Sequence, residues 1–217
     1  MPSSRPGKVR VKTDPKLLIE KGLLLERRAA DGPLDLAALF GNSRPVEVEI
    51  GPGKGTFVLR RAQERPEMNF LAVEWVMPYA AYVADRAMRA GLENVRLISA
   101  DAEQLFKKAL ADKSVWRLHV YFPDPWPKTK HHRRRLIKPP FVAQIHRVLQ
   151  IGGQVSVVTD HEEYFAQVQR VFDHQRGLIQ LAVPTPTGPS GYVGTNFEKK
   201  YLAGGRSFFA LSAIRYR

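Results

Sequence analysis

Hydrophobic and polar positions follow two alternating patterns along the chain from residue 46 onward. Short runs rich in β-branched and aromatic residues predict strands at 46–50, 69–75, 95–100, 116–122, 154–159, 178–183 and 207–217. Longer runs with apolar residues every three or four positions predict helices between them, at 55–65, 77–91, 102–110, 140–153 and from Glu162 to about His174. This alternation is typical of right-handed βαβ units and a mostly parallel sheet.

The last two predicted strands are joined without a helical pattern, so we expect them to pair antiparallel at one edge of the sheet. The sequence therefore predicts a single α/β domain over residues 31–217, a three-layer sandwich with a seven-stranded, mostly parallel sheet. Residues 1–30 are basic and interrupted by prolines. We expect them to form an extended basic arm that orders weakly by itself.

The net charge of the chain indicates which kind of partner it binds. Lys and Arg number 34 against 21 Asp and Glu, a formal net charge of +13 that favours nucleic acid or an anionic membrane. No apolar run approaches the roughly 18 residues of a membrane span, and the N-terminus lacks the apolar core of a signal peptide. We therefore expect a cytoplasmic protein that binds nucleic acid and no membrane. The absence of cysteine excludes disulfides and thiolate metal sites.

A glycine-rich turn, "EIGPGKGTF", joins the first of these strands to its helix and carries Gly51, Gly53 and Gly55. Glycines there permit a tight turn and let a ligand approach the backbone closely. A dinucleotide fingerprint would need Gly or Ala in place of Thr56, and a P-loop would need Gly in place of Val48. A G-x-G motif alone is a weak signal, and a tight turn without a ligand is the alternative.

Three acids accompany the ends of successive predicted strands: Glu49, Glu74 and Asp101. A carboxylate at the second strand end can accept both hydroxyls of a ribose, and one near the third could accept from an adenine amino group. Glu49, near the glycine turn, would favour a cationic amino-acid ligand over a pyrophosphate. Each acid alone is explained by a solvated strand end, but together they suit S-adenosylmethionine better than NAD.

The loop "VYFPDPWPKTKHHRRRL", residues 120–136, combines a lone carboxylate, Asp124, with Trp126 and a dense run of cations. Ligands of open α/β sheets bind beyond the carboxyl ends of the strands, where the strand order reverses. In the usual seven-stranded methyltransferase arrangement the first and fourth strands are neighbours at that point, so Asp124 would face the same crevice as the glycine turn. Trp126 could stack on a base or cover the cofactor pocket. We expect His131 and His132 on a basic surface whose cations neutralise phosphates, namely Lys128, Lys130, Arg133, Arg134, Arg135 and Lys138.

Six motifs, "EIGPGKG", "FLAVEW", "ADAEQL", "FPDPWPKTKHHRRRL", "VVTDHEEY" and "TNFE", together resemble bacterial tRNA (guanine-N7-)-methyltransferases from about Pro45 to Glu198. The resemblance implies a Rossmann-like class I methyltransferase fold and methyl transfer from S-adenosylmethionine to N7 of guanosine 46 in the tRNA variable loop. It implies that Asp124 is catalytic and that the cofactor is bound by Glu49, Gly51, Gly53, Glu74, Asp101 and Asp124. It implies substrate contacts by Lys128, Asp160, Thr195, Phe197 and Glu198.

Other functions stay open on the sequence. One is an S-adenosylmethionine-dependent methyltransferase acting on another RNA base, and another is a non-catalytic RNA-binding protein on the same fold, which would give no reason for the acids. The glycine spacing disfavours a nicotinamide-dependent oxidoreductase. We expect no metal, because the two adjacent histidines are not spaced H-x-x-x-H on a helix. We expect a monomer or a homodimer.

Overall fold

The computed structural model describes residues 9–26, 30–183 and 207–217. Within these ranges the strands are β1 (Leu24–Leu25), β2 (Val46–Ile50), β3 (Asn69–Glu74), β4 (Val95–Ser99), β5 (Val115–Tyr121), β6 (Leu149–Thr159), β7 (Leu178–Leu181) and β8 (Phe209–Arg215). The helices are α1 (Pro15–Glu20), α2 (Leu36–Phe40), α3 (Thr56–Glu64), α4 (Met77–Arg89), α5 (Ala102–Lys108), α6 (Pro139–Val148) and α7 (Glu162–Asp173). A 3-10 helix spans Thr129–Arg134.

The strands form one sheet in the order β1-β4-β3-β2-β5-β6-β8-β7. The first six are parallel, and β8 is antiparallel to both of its neighbours, β6 and β7. This confirms the predicted α/β class with antiparallel last strands. The predicted count of seven strands missed β1, in which Leu24 and Leu25 pair with Leu97 and Ile98. Two residues are too few to show a strand periodicity in the sequence.

The segment 1–30 is more ordered in its described part than the extended arm that the sequence predicts. Asp14 caps α1 by accepting a hydrogen bond from the backbone N–H of Lys16 at 2.9 Å, and Leu18 is fully buried. The Thr13 hydroxyl donates to Asp85 on α4 at 2.6 Å. The segment orders because its leucines enter an existing apolar layer and β1 adds backbone hydrogen bonds to the sheet.

Helices cover both faces of the sheet, giving the three predicted layers. Consecutive residues of β3 enter different cores: Phe70 and Ala72 pack with α1, α3 and α4, whereas Leu71 and Val73 pack with α5, α6 and α7. This alternation follows from the two-residue period of a strand that is buried on both faces. In the parts of the chain just described, no helix combines the length and the apolar character that a membrane crossing demands.

The strand order reverses at β2, which pairs with β3 on one side and with β5 on the other. From β2 the chain proceeds to β3 and β4 in one direction and later to β5 and β6 in the opposite direction. The carboxyl ends of these five parallel strands meet at one edge of the sheet. Such a reversal opens a crevice at that edge, where ligands of open α/β sheets bind.

Candidate functional site

The acids predicted from the sequence meet at this edge. Glu49 and Glu74 lie in β2 and β3 at their carboxyl ends, Asp101 follows β4, Asp124 follows β5, and Asp160 follows β6. Because these five strands are neighbours in the sheet, the turns that follow them form one continuous rim. The structure therefore brings all five acids to the carboxyl edge at which the strand order reverses.

The glycine turn lies against the end of β3 and leaves open space beside it. The Gly51 N–H donates to the Val73 carbonyl at 2.8 Å, and the Gly53 N–H donates to Oε2 of Glu74 at 3.3 Å. Among the residues that the structure describes, a Cβ atom at either glycine would have no neighbour within 4 Å. Packing leaves no such room at Gly55, where φ is +73° and a Cβ atom would lie 2.5 Å from the Val83 side chain. A ligand can thus approach the backbone at the first two glycines.

Glu74 accepts hydrogen bonds from the backbone of two turns, the one after β2 and the one after β3. Its Oε1 accepts from the Val76 N–H at 3.0 Å, and its Oε2 accepts from Gly53. Burial raises the pKa of Glu74, and the negative charge of Asp124 contributes to the rise. The two carboxyl groups are therefore close enough to interact. A carboxylate has about four acceptor positions, so Glu74 retains capacity to accept from the hydroxyls of a ligand.

Glu49 is a buried carboxyl group with an unused oxygen. Its side chain accepts a hydrogen bond from the backbone N–H of Val58 in α3, but Oε2 has no hydrogen-bond partner among the described residues. Burial, with a contribution from the charge of Glu74, raises the pKa of Glu49 to about 8. Buried polar atoms are almost always paired. An unpaired carboxylate oxygen beside the open glycine turn can accept hydrogen bonds from a cationic ligand.

Glu47, which the sequence analysis did not select, lies two residues before Glu49 on the same strand. It accepts from Nε and Nη2 of Arg61, both at 3.1 Å, and from Nε2 of His119 at 2.9 Å. The Tyr121 hydroxyl donates to Nδ1 of His119 at 2.7 Å. Burial alone would raise the pKa of Glu47, but the hydrogen bonds from His119 and Arg61 outweigh it and lower the pKa to about 2. The sequence signal that could have identified Glu47 is the alternating V-E-V-E pattern of β2, which places Glu47 and Glu49 on the same face of the strand.

Asp101 is half-buried and caps α5, accepting from the Gln104 N–H at 3.1 Å. Near it, the Ser99 hydroxyl donates to the Trp75 carbonyl at 3.3 Å. Trp75 directly follows Glu74 but is not among the site residues that the sequence predicts. Its side chain is 62% exposed, which is unusual for so large an apolar group. The edge thus offers an aromatic surface next to the acid that can accept ribose hydroxyls.

The loop after β5 has an unusual backbone. Phe122 and Trp126 have φ angles of 53° and 43°, a left-handed conformation that costs about 1–3 kcal/mol per non-glycine residue. Pro123 and Pro125 alternate with them, so Asp124 is displayed, exposed, on a short stretch of restricted backbone. The Trp126 ring lies 4.9 Å from the Arg134 guanidinium and meets the His131 ring edge-on at 5.9 Å between centroids. These contacts fix the indole on the basic surface.

The basic surface is smaller than predicted. Its exposed cations are Lys128, Lys130, Arg133 and Arg134. The prediction that Arg135 contacts phosphate is wrong, because its side chain is 1% exposed and hydrogen bonded to the protein. Lys138 forms an ion pair with Glu103 at 2.7 Å. Of the three adjacent arginines, Arg133 and Arg134 are exposed and Arg135 is buried.

Of the residues expected to contact substrate, two belong to the described part of the chain. Lys128 is exposed at the start of the 3-10 helix, and Asp160 lies between β6 and α7. Lys128 thus lies in the same loop as Asp124, after β5, and Asp160 lies at the end of the neighbouring strand, β6. Thr195, Phe197 and Glu198 lie outside the described residues.

The acceptor groups at this edge fit S-adenosylmethionine. The unpaired oxygen of Glu49 suits its ammonium group, the free acceptor positions of Glu74 suit ribose hydroxyls, and Asp101 with Trp75 lies farther along the edge, where an adenine would follow. A sheet of this topology with such acids at its reversal point defines a class I S-adenosylmethionine-dependent methyltransferase domain. Residues 43–211 match the family model Methyltransf_4, described as "Putative methyltransferase".

The chain belongs to the tRNA (guanine-N(7)-)-methyltransferase family, as its sequence motifs indicated. It is 39% identical to the member from Nitrosococcus oceani, over 69% of this chain and 64% of that relative. It is 35% identical to the member from Geobacillus thermodenitrificans, over 82% of each. The aligned region thus spans slightly less than two thirds of the first relative and most of the second.

Solved structures agree on the fold. A 30S ribosomal A1408 methyltransferase from an uncultured bacterium superimposes with a TM-score of 0.61 and 16% identity, covering 83% of this chain and 92% of that chain. A SAM-dependent O-methyltransferase from Thermotoga maritima superimposes with a TM-score of 0.53 and 14% identity, covering 97% and 69%. At these identities the likeness establishes the architecture alone.

Proposed function

We propose that this protein transfers a methyl group from S-adenosylmethionine to N7 of guanosine 46 in the variable loop of tRNA. The observation that carries the proposal is the juxtaposition, at one point of the sheet, of an acidic cofactor crevice and an exposed carboxylate, Asp124, bordered by basic side chains. The names of the relatives support tRNA and guanine N7. Position 46 follows from the family resemblance.

The cofactor would be bound by the acids and the glycine turn. Glu49 would accept from its ammonium group, Glu74 from the ribose hydroxyls and Asp101 from the adenine amino group, with the backbone at Gly51 and Gly53 in close approach. When bound, S-adenosylmethionine supplies an electrophilic methyl group on a sulfonium. The unpaired oxygen of Glu49 supports this arrangement, because a cationic ligand gives it a partner.

The chemistry needs no general base. Guanine N7 carries a lone pair and no proton, so its bond to the methyl carbon forms as the carbon–sulfur bond breaks. The electron pair of the broken bond stays on sulfur, no proton moves, and the purine gains a positive charge. Catalysis then reduces to alignment and electrostatics. Asp124 would stabilise the charge that develops on the purine, or hold the guanine N1–H and N2 donors, with Asp160 as a second anchor.

The tRNA would be held largely through its phosphates. The exposed cations Lys128, Lys130, Arg133 and Arg134 next to Asp124 support this, since such contacts give salt-dependent affinity with little sequence preference. The resemblance adds Thr195, Phe197 and Glu198 as substrate contacts, and the methyltransferase domain would span residues 31–217, as the alternation of strands and helices predicts. A cytoplasmic location follows from the tRNA substrate.

The proposal is tested by transfer of a radiolabelled methyl group from S-adenosylmethionine to unmodified tRNA transcripts, followed by nuclease digestion. A paired transcript carries adenosine instead of the variable-loop guanosine. Label in 7-methylguanosine that disappears with the paired transcript is the expected result. Label in another nucleoside would overturn the substrate atom. Tight tRNA binding without transfer or cofactor binding would point to an RNA-binding protein instead.

A further inference from the structure

Arg135 occupies the junction between the loop that carries Asp124 and helix α7. Its side chain is 1% exposed, and its guanidinium carbon lies 5.0 Å from the centre of the Tyr164 ring. A buried arginine is rare unless its charge and its hydrogen bonds are matched. The sequence does not indicate that Arg135 is buried, because it lies in a run of otherwise exposed cations. Its role is inferred from its hydrogen-bond partners.

Every N–H of the Arg135 guanidinium has a partner. Nε donates to the Pro125 carbonyl at 2.8 Å. Nη1 donates to Oε1 of Glu163 at 3.1 Å and to Oε1 of Gln167 at 2.7 Å. Nη2 donates to Oε2 of Glu163 at 2.9 Å and to Nε2 of His132 at 2.9 Å. A guanidinium has five N–H donors and no acceptor, so none is left for a phosphate.

These contacts tie a restricted backbone to a helix. Phe122 and Trp126, on either side of Asp124, have left-handed φ angles, and such conformations persist only where the surroundings determine them fully. The Pro125 carbonyl, held by Arg135, lies between Asp124 and Trp126. At the far end of the loop, the Ile137 N–H donates to the Tyr164 hydroxyl at 3.1 Å, and Gln167 donates to the Ile137 carbonyl at 2.9 Å. Helix α7 therefore holds the loop at both ends.

We propose that Arg135 is a positioning residue that sets Asp124 at a fixed place relative to the start of α7. Asp160 lies one residue before the N-cap of that helix, His161, and Glu163 lies in its first turn. By joining Pro125 to Glu163, Arg135 makes the Asp124 turn and the Asp160 turn one rigid unit facing the guanosine. The proposal rests on the proposed function, in which Asp124 acts on the base and Asp160 anchors it.

The test is Arg135→Lys, assayed by methyl transfer at saturating S-adenosylmethionine and by tRNA binding over a range of salt concentrations. Lysine keeps the charge but cannot reproduce the planar, forked set of donors. We expect kcat to fall about 10- to 100-fold, as is typical when a group that orients a site residue is lost. The dissociation constant for tRNA and its salt dependence should stay within about twofold of wild type, because Arg135 makes no phosphate contact.

The comparison variant is Arg133→Ala, which removes an exposed cation two residues away. Arg133→Ala should weaken tRNA binding and reduce its salt dependence, whereas Arg135→Lys should lower kcat and leave tRNA binding unchanged. If Arg135→Lys instead weakened tRNA binding and retained wild-type kcat at saturating tRNA, Arg135 would be a phosphate ligand and the positioning role would be overturned.

A second variant guards against a simple failure to fold. Glu163 is 55% exposed, so Glu163→Gln removes the carboxylate from Arg135 without opening a cavity. We expect a several-fold loss of kcat, and a double variant with Arg135→Lys no slower than Arg135→Lys alone, since both changes break one network. Full kcat in Glu163→Gln, or a double variant slower than Arg135→Lys by the whole loss measured for Glu163→Gln, would contradict the proposal. Absence of 7-methylguanosine with the wild-type protein would instead overturn the proposed function itself.

Discussion

Glu47 and Glu49 lie on the same face of β2, two residues apart, and their carboxyl groups have pKa values of about 2 and about 8. Both are almost completely buried. Glu47 is ion-paired with Arg61 and accepts a hydrogen bond from His119, whereas Glu49 has, within the part of the chain that the structure describes, a single backbone donor and an oxygen without a partner. Neighbouring carboxyl groups with divergent pKa values have different tasks. Glu47 stabilises the fold, whereas Glu49 is the group that, in the proposed function, accepts from the ammonium group of the cofactor.

The first prediction concerns Glu49 and pH. Its carboxyl group is protonated below about pH 8 in the free protein, and a bound ammonium group favours the ionised form, so cofactor binding should release a proton. The affinity of the wild-type protein for S-adenosylmethionine, divided by that of Glu49→Gln, should therefore rise with pH up to about 8 and then level off. Calorimetric titrations at several pH values measure both affinities. A ratio independent of pH would contradict the assignment of Glu49.

The second prediction concerns Glu47 and stability. Because folding lowers the pKa of Glu47 from 4.5 to about 2, its stabilising effect is complete above the unfolded value and is lost as pH falls through the folded one. Glu47→Gln should lower the free energy of unfolding by about 3 kcal/mol at pH 7. The difference from wild type should shrink by roughly 1 kcal/mol at pH 4. Urea denaturation at both pH values provides the measurement.

A matched control for this change is Glu64→Gln. Glu64 is 54% exposed and forms an ion pair with Arg60, and surface pairs of this kind contribute about 0–1 kcal/mol. An equal loss of stability in both variants would show that the buried network around Glu47 stabilises the protein no more than the surface ion pair between Arg60 and Glu64 does.

The third prediction concerns Asp124. Asp124→Asn keeps the shape of the side chain and removes its charge, so methyl transfer should fall about 10²- to 10³-fold, the range seen when one group that stabilises developing charge is removed. Binding of tRNA should survive. The control is Asp112→Asn, which makes the same change at an exposed aspartate before β5, at the opposite edge of the sheet, and should keep wild-type activity. Normal turnover by Asp124→Asn would refute its catalytic role.

The fourth prediction concerns Lys128. Lys128→Ala should weaken tRNA binding and reduce the slope of log Kd against log salt by about one. Lys107→Ala removes an equally exposed lysine at the end of α5, away from the reversal point, and should leave the slope as in wild type. Filter binding between low and moderate salt distinguishes the two. Equal slopes for both variants would show that Lys128 does not contact a phosphate of the tRNA.

The periodicity of the sequence predicted most of the sheet and the acids at its carboxyl edge. The strand that carries Glu49 and the strand that carries Glu74 were both predicted within one residue of their ends, because strands buried on both faces give continuous apolar runs. Since parallel strands end at one edge, their terminal acids had to meet there. The helical and strand residues before position 30 were missed, as short elements depend on tertiary contacts more than on local pattern.

The buried networks could not be predicted in the same way. Glu47 meets His119 across 72 positions of sequence, and Arg135 meets Glu163 across 28. Nothing in the run "HHRRRL" distinguishes Arg135 from Arg134, because both have the same side chain and the same local composition. Only the packing of the loop against α7 decides which guanidinium is enclosed and which faces solvent.

Strand β1 has a consequence for experiments on the basic arm. By pairing with β4, Leu24 and Leu25 cover a sheet edge that would otherwise present unpaired backbone groups to solvent. Removing residues 1–30 would uncover that edge together with the surface that Leu18 buries, and the shortened protein should aggregate by edge-to-edge association. Any loss of tRNA binding would then reflect aggregation. A deletion that ends before Lys12, whose N–H binds Asp85, would remove basic residues while β1 stays paired with β4.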